Sequence, residues 1–183
     1  MPFTLLKPDG IDLSQNFAFT GTVSGAGGGK INQVLQTERA TATTIATTTY
    51  SSIGLSQAIT PSATSSKIII MGYVKFSFHG GNGDRGMGVR IRRDSTAIQD
   101  SVNIYDAYNK STASTFINSD RFPFMYIDSP SSTSEITYSI RIASWNSQSF
   151  VVQNDNTASQ IQCWELLAWF IQLVWNAEMQ LRF

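Results

Sequence analysis

Glu135-Ile136-Thr137-Tyr138-Ser139-Ile140-Arg141-Ile142 alternates polar and apolar side chains without a break. Successive side chains on a β-strand point to opposite faces, so this stretch offers one face to a core and one to water. The same period returns in 67–78, where Ile68, Ile70, Val74, Phe76 and Phe78 share a face. Ile69, Met71 and Tyr73 occupy the other face, which predicts a strand covered on both sides near its start.

Further strand-like runs fall at 31–35, 41–50, 52–60, 87–93, 97–104, 115–127, 148–152 and 158–167. Between them lie turn formers: Asp94-Ser95, Asn109-Lys110-Ser111, the 128–134 segment and Asn154-Asp155-Asn156. Many short strands without intervening helical periods predict an all-β protein, an antiparallel β-sandwich or barrel. No repeat of solenoid period is present.

Two flanking segments depart from this rhythm. Residues 1–24 carry one strand-like alternation, with Phe17, Phe19 and Val23 on a face, and lead into Gly25-Ala26-Gly27-Gly28-Gly29. Such a glycine run imposes no geometry, so 25–30 reads as a joint between an N-terminal arm and a head spanning 31–168. Residues 169–183 form an apolar C-terminal extension whose Phe170, Ile171, Val174 and Trp175 have spacings compatible with a helix. An apolar run of this kind needs cover, so Trp169, Phe170 and Trp175 are expected to dock on another subunit or fold back.

The chain has 183 residues, enough for one ordinary domain, and 42% of them are hydrophobic, enough for a core. Charged residues make up 14% and balance to a net charge of zero, which removes long-range steering toward nucleic acid. Cys163 is the single cysteine, so no intrachain disulfide framework exists. Met1-Pro2-Phe3-Thr4 does not open a signal peptide, and the apolar stretch 163–175 is shorter than the roughly 20 residues of a membrane span. No membrane association is expected.

Motifs with chemical content are sparse. Gly81-Asn82-Gly83-Asp84-Arg85-Gly86 meets the letter of a dinucleotide fingerprint, but strand-like Val89-Arg90-Ile91-Arg92 follows where a helix is required. It reads as a hairpin loop. Lys30 is followed by Ile31, so there is no P-loop. His79, the only histidine, reads as a polar loop-edge residue, and with one cysteine no zinc site is expected. No nucleophile elbow or paired catalytic set emerges, so no catalytic residue, metal or cofactor is assigned and the protein is not expected to be an enzyme. Arg90 and Arg92 project from one face of a strand and suit a subunit ion-pair site or a solvated surface. Tyr105, Tyr108 and Trp145 fall in or beside loops, where rings can stack on a glycan or receptor, although aromatic residues serve cores as well.

Several stretches together resemble virion proteins of aquatic tailed phages, of the cyanophage and pelagiphage kind: Ile11-Asp-Leu-Ser-Gln-Asn-Phe-Ala-Phe-Thr-Gly-Thr-Val23, Ile59-Thr-Pro-Ser-Ala-Thr-Ser-Ser-Lys-Ile-Ile-Ile70, Val89-Arg-Ile-Arg-Arg-Asp-Ser-Thr-Ala-Ile98 and Asp128-Ser-Pro-Ser-Ser-Thr-Ser-Glu-Ile-Thr-Tyr138. The likeness runs over residues 11–167 and leaves 169–183 without a counterpart. It implies a jelly-roll-like, trimeric head attached to the particle by its arm, assembled in the bacterial host cytoplasm, with other virion proteins as partners. It transfers no catalytic residue. The expected role is a tail fibre or appendage component. The alternatives are a capsid decoration (cement) protein and a lectin-like module for a host surface glycan.

Overall fold

The computed structural model describes residues 31–80, 83–101, 104–110, 116–154 and 157–167. The expected arm with Phe17, Phe19 and Val23, the joint, and the extension with Trp169, Phe170 and Trp175 lie outside the described residues.

The strands are β1 (Ile31–Arg39), β2 (Thr43–Ile45), β3 (Ser51–Ile59), β4 (Lys67–Gly80), β5 (Arg85–Arg93), β6 (Thr96–Asp100), β7 (Ala107–Asn109), β8 (Phe116–Asp128), β9 (Ile136–Ser144), β10 (Phe150–Val152) and β11 (Ser159–Leu166). The first sheet runs β1–β11–β4–β8, and β2–β10 continues the β1–β11 pair beside the second half of β4. The second runs β3–β9–β5–β6, with β7 completing the β6 position along β5. Every pairing is antiparallel, and the chain changes sheet at β2–β3, β3–β4, β4–β5, β7–β8, β8–β9 and β9–β10. That order is a jelly roll, so the predicted antiparallel sandwich is the fold.

The alternation that opened the sequence is β9 itself. Ile136, Tyr138, Ile140 and Ile142 are buried, while Thr137, Ser139 and Arg141 are half-buried on the opposite side. From β4, Ile68, Ile70, Val74, Phe76 and Phe78 face the same core. Phe78 packs edge-on against Phe150 at 5.2 Å between centroids. Each fully buried side chain of this size contributes about 1.5–3 kcal/mol, so these inward rows hold the two sheets together. Cys163 lies in this core, where burial pushes its thiol up to about 12.

A polar knot ties the two layers at one end. Tyr138 donates to Asp128 Oδ2 at 2.8 Å, and Arg93 Nη1 reaches the same carboxylate at 3.0 and 3.2 Å. Burial, then the hydrogen bond to Asp128, drive the Tyr138 phenol far above its ordinary range. It stays a donor at any pH the protein meets.

Three expectations need correction. The run 41–50 keeps only β2 as strand. Its hydroxyls compete for backbone partners, as when Thr47 Oγ1 accepts from Thr49 N and Ser51 Oγ donates to Thr49 O. The run 97–104 ends at Asp100, and Ile104, at φ 58°, cannot continue an extended strand. The 79–86 segment is no hairpin: His79 and Gly80 finish β4, Arg85 begins β5, and these strands belong to opposite sheets. On the outer face near the start of β4, Ile69, Met71 and Tyr73 are half-buried.

That outer face has a clear register. Val34, Trp164, Ile69 and Ile127 stand opposite one another across β1, β11, β4 and β8. The next row is Gln36, Gln162, Met71 and Met125. Directly opposed residues of antiparallel strands share a face, so these are continuous rows. Met125 is 69% exposed, Ile127 53% and Val34 51%. Farther along, the surface turns polar: Gln162 donates to Gln36 at 2.8 Å, Gln160 to Glu38 at 2.9 Å, and the Arg121 guanidinium lies 5.2 Å from the Tyr73 ring centroid.

The strands give the molecule two distinct ends. Ile31 pairs with Leu166 and Leu166 with Lys67, so the chain enters and leaves the sandwich side by side. Gly80 pairs with Phe116 at the other end of β4, roughly 40 Å away for a strand of this length.

Candidate ligand-binding surface

At the end remote from chain entry, the structure brings together the three aromatic residues that sequence singled out as ligand contacts. Tyr105 and Tyr108 meet edge-on at 5.3 Å between centroids, Tyr105 and Trp145 at 5.3 Å, and Tyr108 and Trp145 edge-on at 5.5 Å. Tyr105 is 48% exposed and Tyr108 41%. Offset and edge-to-face contacts hold such rings in fixed mutual orientation while leaving faces open.

Gly86 makes the cluster feasible. A Cβ there would stand 3.0 Å from both Trp145 Cβ and Tyr108 Cδ2, so the bare backbone lets both rings lie across β5. Trp145 N donates to Gly86 O at 2.9 Å, anchoring the residue that follows β9 onto β5. The third glycine of the false dinucleotide fingerprint therefore serves aromatic packing rather than a phosphate.

Polar groups ring the aromatics. Tyr108 donates to Asp84 Oδ2 at 2.6 Å, and Asn146 Nδ2 donates to the Asp84 carbonyl at 2.9 Å. The hydrogen bond to Asp84, with burial second, pushes the Tyr108 phenol up to about 12. Arg85, nearly buried, donates to Gln148 Oε1 at 2.8 Å and to the His79 carbonyl at 3.3 Å, tying the β4–β5 and β9–β10 connections together. Ile104, a β-branched residue in the left-handed region, directly precedes Tyr105. Backbone strain of this sort costs on the order of 1–3 kcal/mol and tends to persist where a site needs it.

Open ring faces beside a carboxylate, an amide and a phenol have the chemistry for sugars, whose C–H faces stack while hydroxyls take hydrogen bonds. Asp84 and Asn146 were not singled out by sequence reasoning. Asp84 sits in a Gly/Asn-rich connection and Asn146 in a Ser/Asn/Gln one, each with turn signals of its own, so nothing in the string marks them as neighbours of Tyr108.

The other sequence candidates lie elsewhere. Arg90 is engaged within its own chain, paired with Asp100 at 2.5 Å and stacked 3.9 Å from the Tyr50 ring centroid. Burial and then the Asp100 charge raise the Tyr50 phenol to about 12, and it donates to Ser101 O at 2.8 Å. Arg92 hydrogen-bonds the Ser95 carbonyl. His79 is exposed near the end of β4 and shares a hydrogen bond with Ser77. Among the described residues, no three His, Cys, Asp or Glu side chains gather as a metal site.

No family model and no curated protein matches the chain. Solved structures do. The VP2 subviral particle of infectious bursal disease virus is similar at 14% identity over 74% of this chain and 38% of that chain, with a TM-score of 0.41. The Gt strain of the same virus gives 14% identity over the same shares and a TM-score of 0.36. The chain thus spans well under half the length of the proteins it matches, and both come from infectious bursal disease virus rather than a tailed phage.

Proposed function

We propose that this protein is a virion structural component, a trimeric tail fibre or appendage subunit that attaches through its arm and meets a host surface glycan through Tyr105, Tyr108 and Trp145. In this reading it binds and assembles, and catalyses nothing. The observation that carries it is the opposition of the two ends. The chain enters and leaves beside Lys67, while the exposed rings crown the other end of the same strands. An arm held by the particle would point the aromatic crown outward. The phage resemblance of residues 11–167 agrees with this layout.

Particles carrying Trp145→Ala with Tyr108→Ala should form in normal number and adsorb to host cells at least about tenfold less, since a buried aromatic anchor contributes ~2 kcal/mol or more at a contact. Undiminished adsorption would remove the crown from the receptor site. A second measurement addresses attachment. A chain lacking residues 1–24 should fold and oligomerise yet be missing from purified particles, whereas antibody to the intact protein should label tails. Label spread over the head shell would favour the decoration reading instead.

A further inference from the structure

Among the described residues, the outer face of the first sheet exposes a set of apolar side chains that does not suit contact with water. Val34, Trp164, Ile69 and Ile127 form an unbroken apolar row across four strands, with Met71 and Met125 beside it. Isolated exposed apolar residues are ordinary, but a contiguous set on a flat sheet marks a surface that something covers. Farther along the same face, the glutamine ladder and then Lys75 with Arg121 separate these residues from the exposed Ile117 near the start of β8. The apolar rows are therefore a bounded patch.

Its position points to the occupant. The patch lies at the end where β11 finishes: the Trp164 row is one step back from the Leu166–Lys67 pair on the same face. The chain then continues as Trp169-Phe170-Ile171-Gln172-Leu173-Val174-Trp175, the most apolar run in the sequence. An uncovered face and a strongly apolar segment are thus joined within a few residues. Reach is no obstacle. Four strands at about 4.8 Å spacing span ~14 Å, and the seven residues 169–175 reach over 20 Å at the ~3.3 Å per residue of an extended chain.

We propose that residues 169–175 of the same chain fold back and cover this patch, making the outer face of β1, β11, β4 and β8 a docking seat for the segment that follows β11. The covering is intramolecular because the segment is tethered at the rim of its own seat, where effective concentration is high compared with any second copy in solution.

The full chain tests this in two reciprocal ways. Peroxide oxidation followed by mass spectrometry reads cover over Met125. Relative to the unaltered chain, Trp169→Asp with Phe170→Asp should speed Met125 sulfoxide formation roughly tenfold. The slow rate of the unaltered chain should not change on dilution. Equal rates in the two chains would overturn the proposal. So would protection that disappears on dilution, which would give the seat to a second copy. In the reverse direction, Ile127→Asp places a charge on an outward side chain that the core does not use. It should make chymotrypsin cut after Trp169 or Phe170 about tenfold faster while the strand circular dichroism stays unchanged. Cutting at the unaltered rate would equally refute the docking.

Discussion

A chain carrying Gly72→Ala is expected to lose about 3 kcal/mol of stability, at the upper end of what overpacking costs. Gly72 lies in the middle of β4, between Ile161 of β11 and Phe124 of β8. A Cβ at this position would stand 2.0 Å from the Gln160 carbonyl oxygen and 2.9 Å from Phe124 Cζ. The ring could swing aside, but the carbonyl belongs to the β11 backbone and cannot move without parting the ladder. Because β4 is the strand on which β8, β10 and β11 all pair, damage there reaches the whole first sheet. Urea or thermal unfolding would measure the effect, with a midpoint about 10 °C lower for a domain of this size. Gly72→Val should not yield folded protein. A melting point within 2–3 °C of the parent for the alanine variant would show that the strands yield more easily than this packing allows.

Glu165→Gln is the second large effect, with an expected cost of about 3 kcal/mol above pH 5. The carboxylate is fully buried at the end of β11 and has no cation beside it among the described residues. Instead it accepts from Asn32 Nδ2 at 2.8 Å, Gln33 Nε2 at 2.8 Å, Ser62 N at 2.6 Å, Ser62 Oγ at 2.7 Å and Ser66 Oγ at 2.6 Å. Burial alone would raise its pKa, but the donors from Asn32, Ser66 and Ser62 outweigh it and lower the group from 4.5 to about 2. Below pH 4.5 the unfolded chain takes up a proton that the folded chain refuses. The stabilisation is therefore complete above about pH 5 and fades as the pH falls toward 2. An amide would set its own NH₂ against those donors. Denaturation at pH 7 and pH 3 should show the gap between parent and Glu165→Gln shrinking with acid, and a pH-independent gap would refute this account.

Much of the fold could be read from residue order because β-strands announce their faces. The alternation of β9 and the inward set of β4 are as the sequence has them, since period two is a local property. Which strands become neighbours is not local. The segment 79–86 looked like a hairpin because turn residues separate two strands, and nothing in those residues says that the second strand joins the opposite layer. Glu165 stands in the sequence as a lone acid within the apolar stretch 163–175. Its partners come from β1, more than 130 positions earlier, and from the β3–β4 connection, about a hundred positions earlier along the chain. The aromatic crown was half legible. Tyr105, Tyr108 and Trp145 were named for their loop context, but their meeting depends on Gly86 leaving room on β5. Arg90 and Arg92 read from the alternation as a subunit ion-pair site or a solvated face, and their intrachain partners Asp100, Tyr50 and the Ser95 carbonyl were not visible in the local sequence.

The side-by-side entry and exit of the chain also settle how the domain answers to pulling. Tension between Ile31 and Leu166 acts across the β1–β11 ladder and can open it like a zip, bond after bond from its end. Tension between the crown and the base runs parallel to the strands, at right angles to their hydrogen bonds, so whole ladders must slide at once before any gives way. The same sandwich is mechanically soft in one direction and stiff in the other.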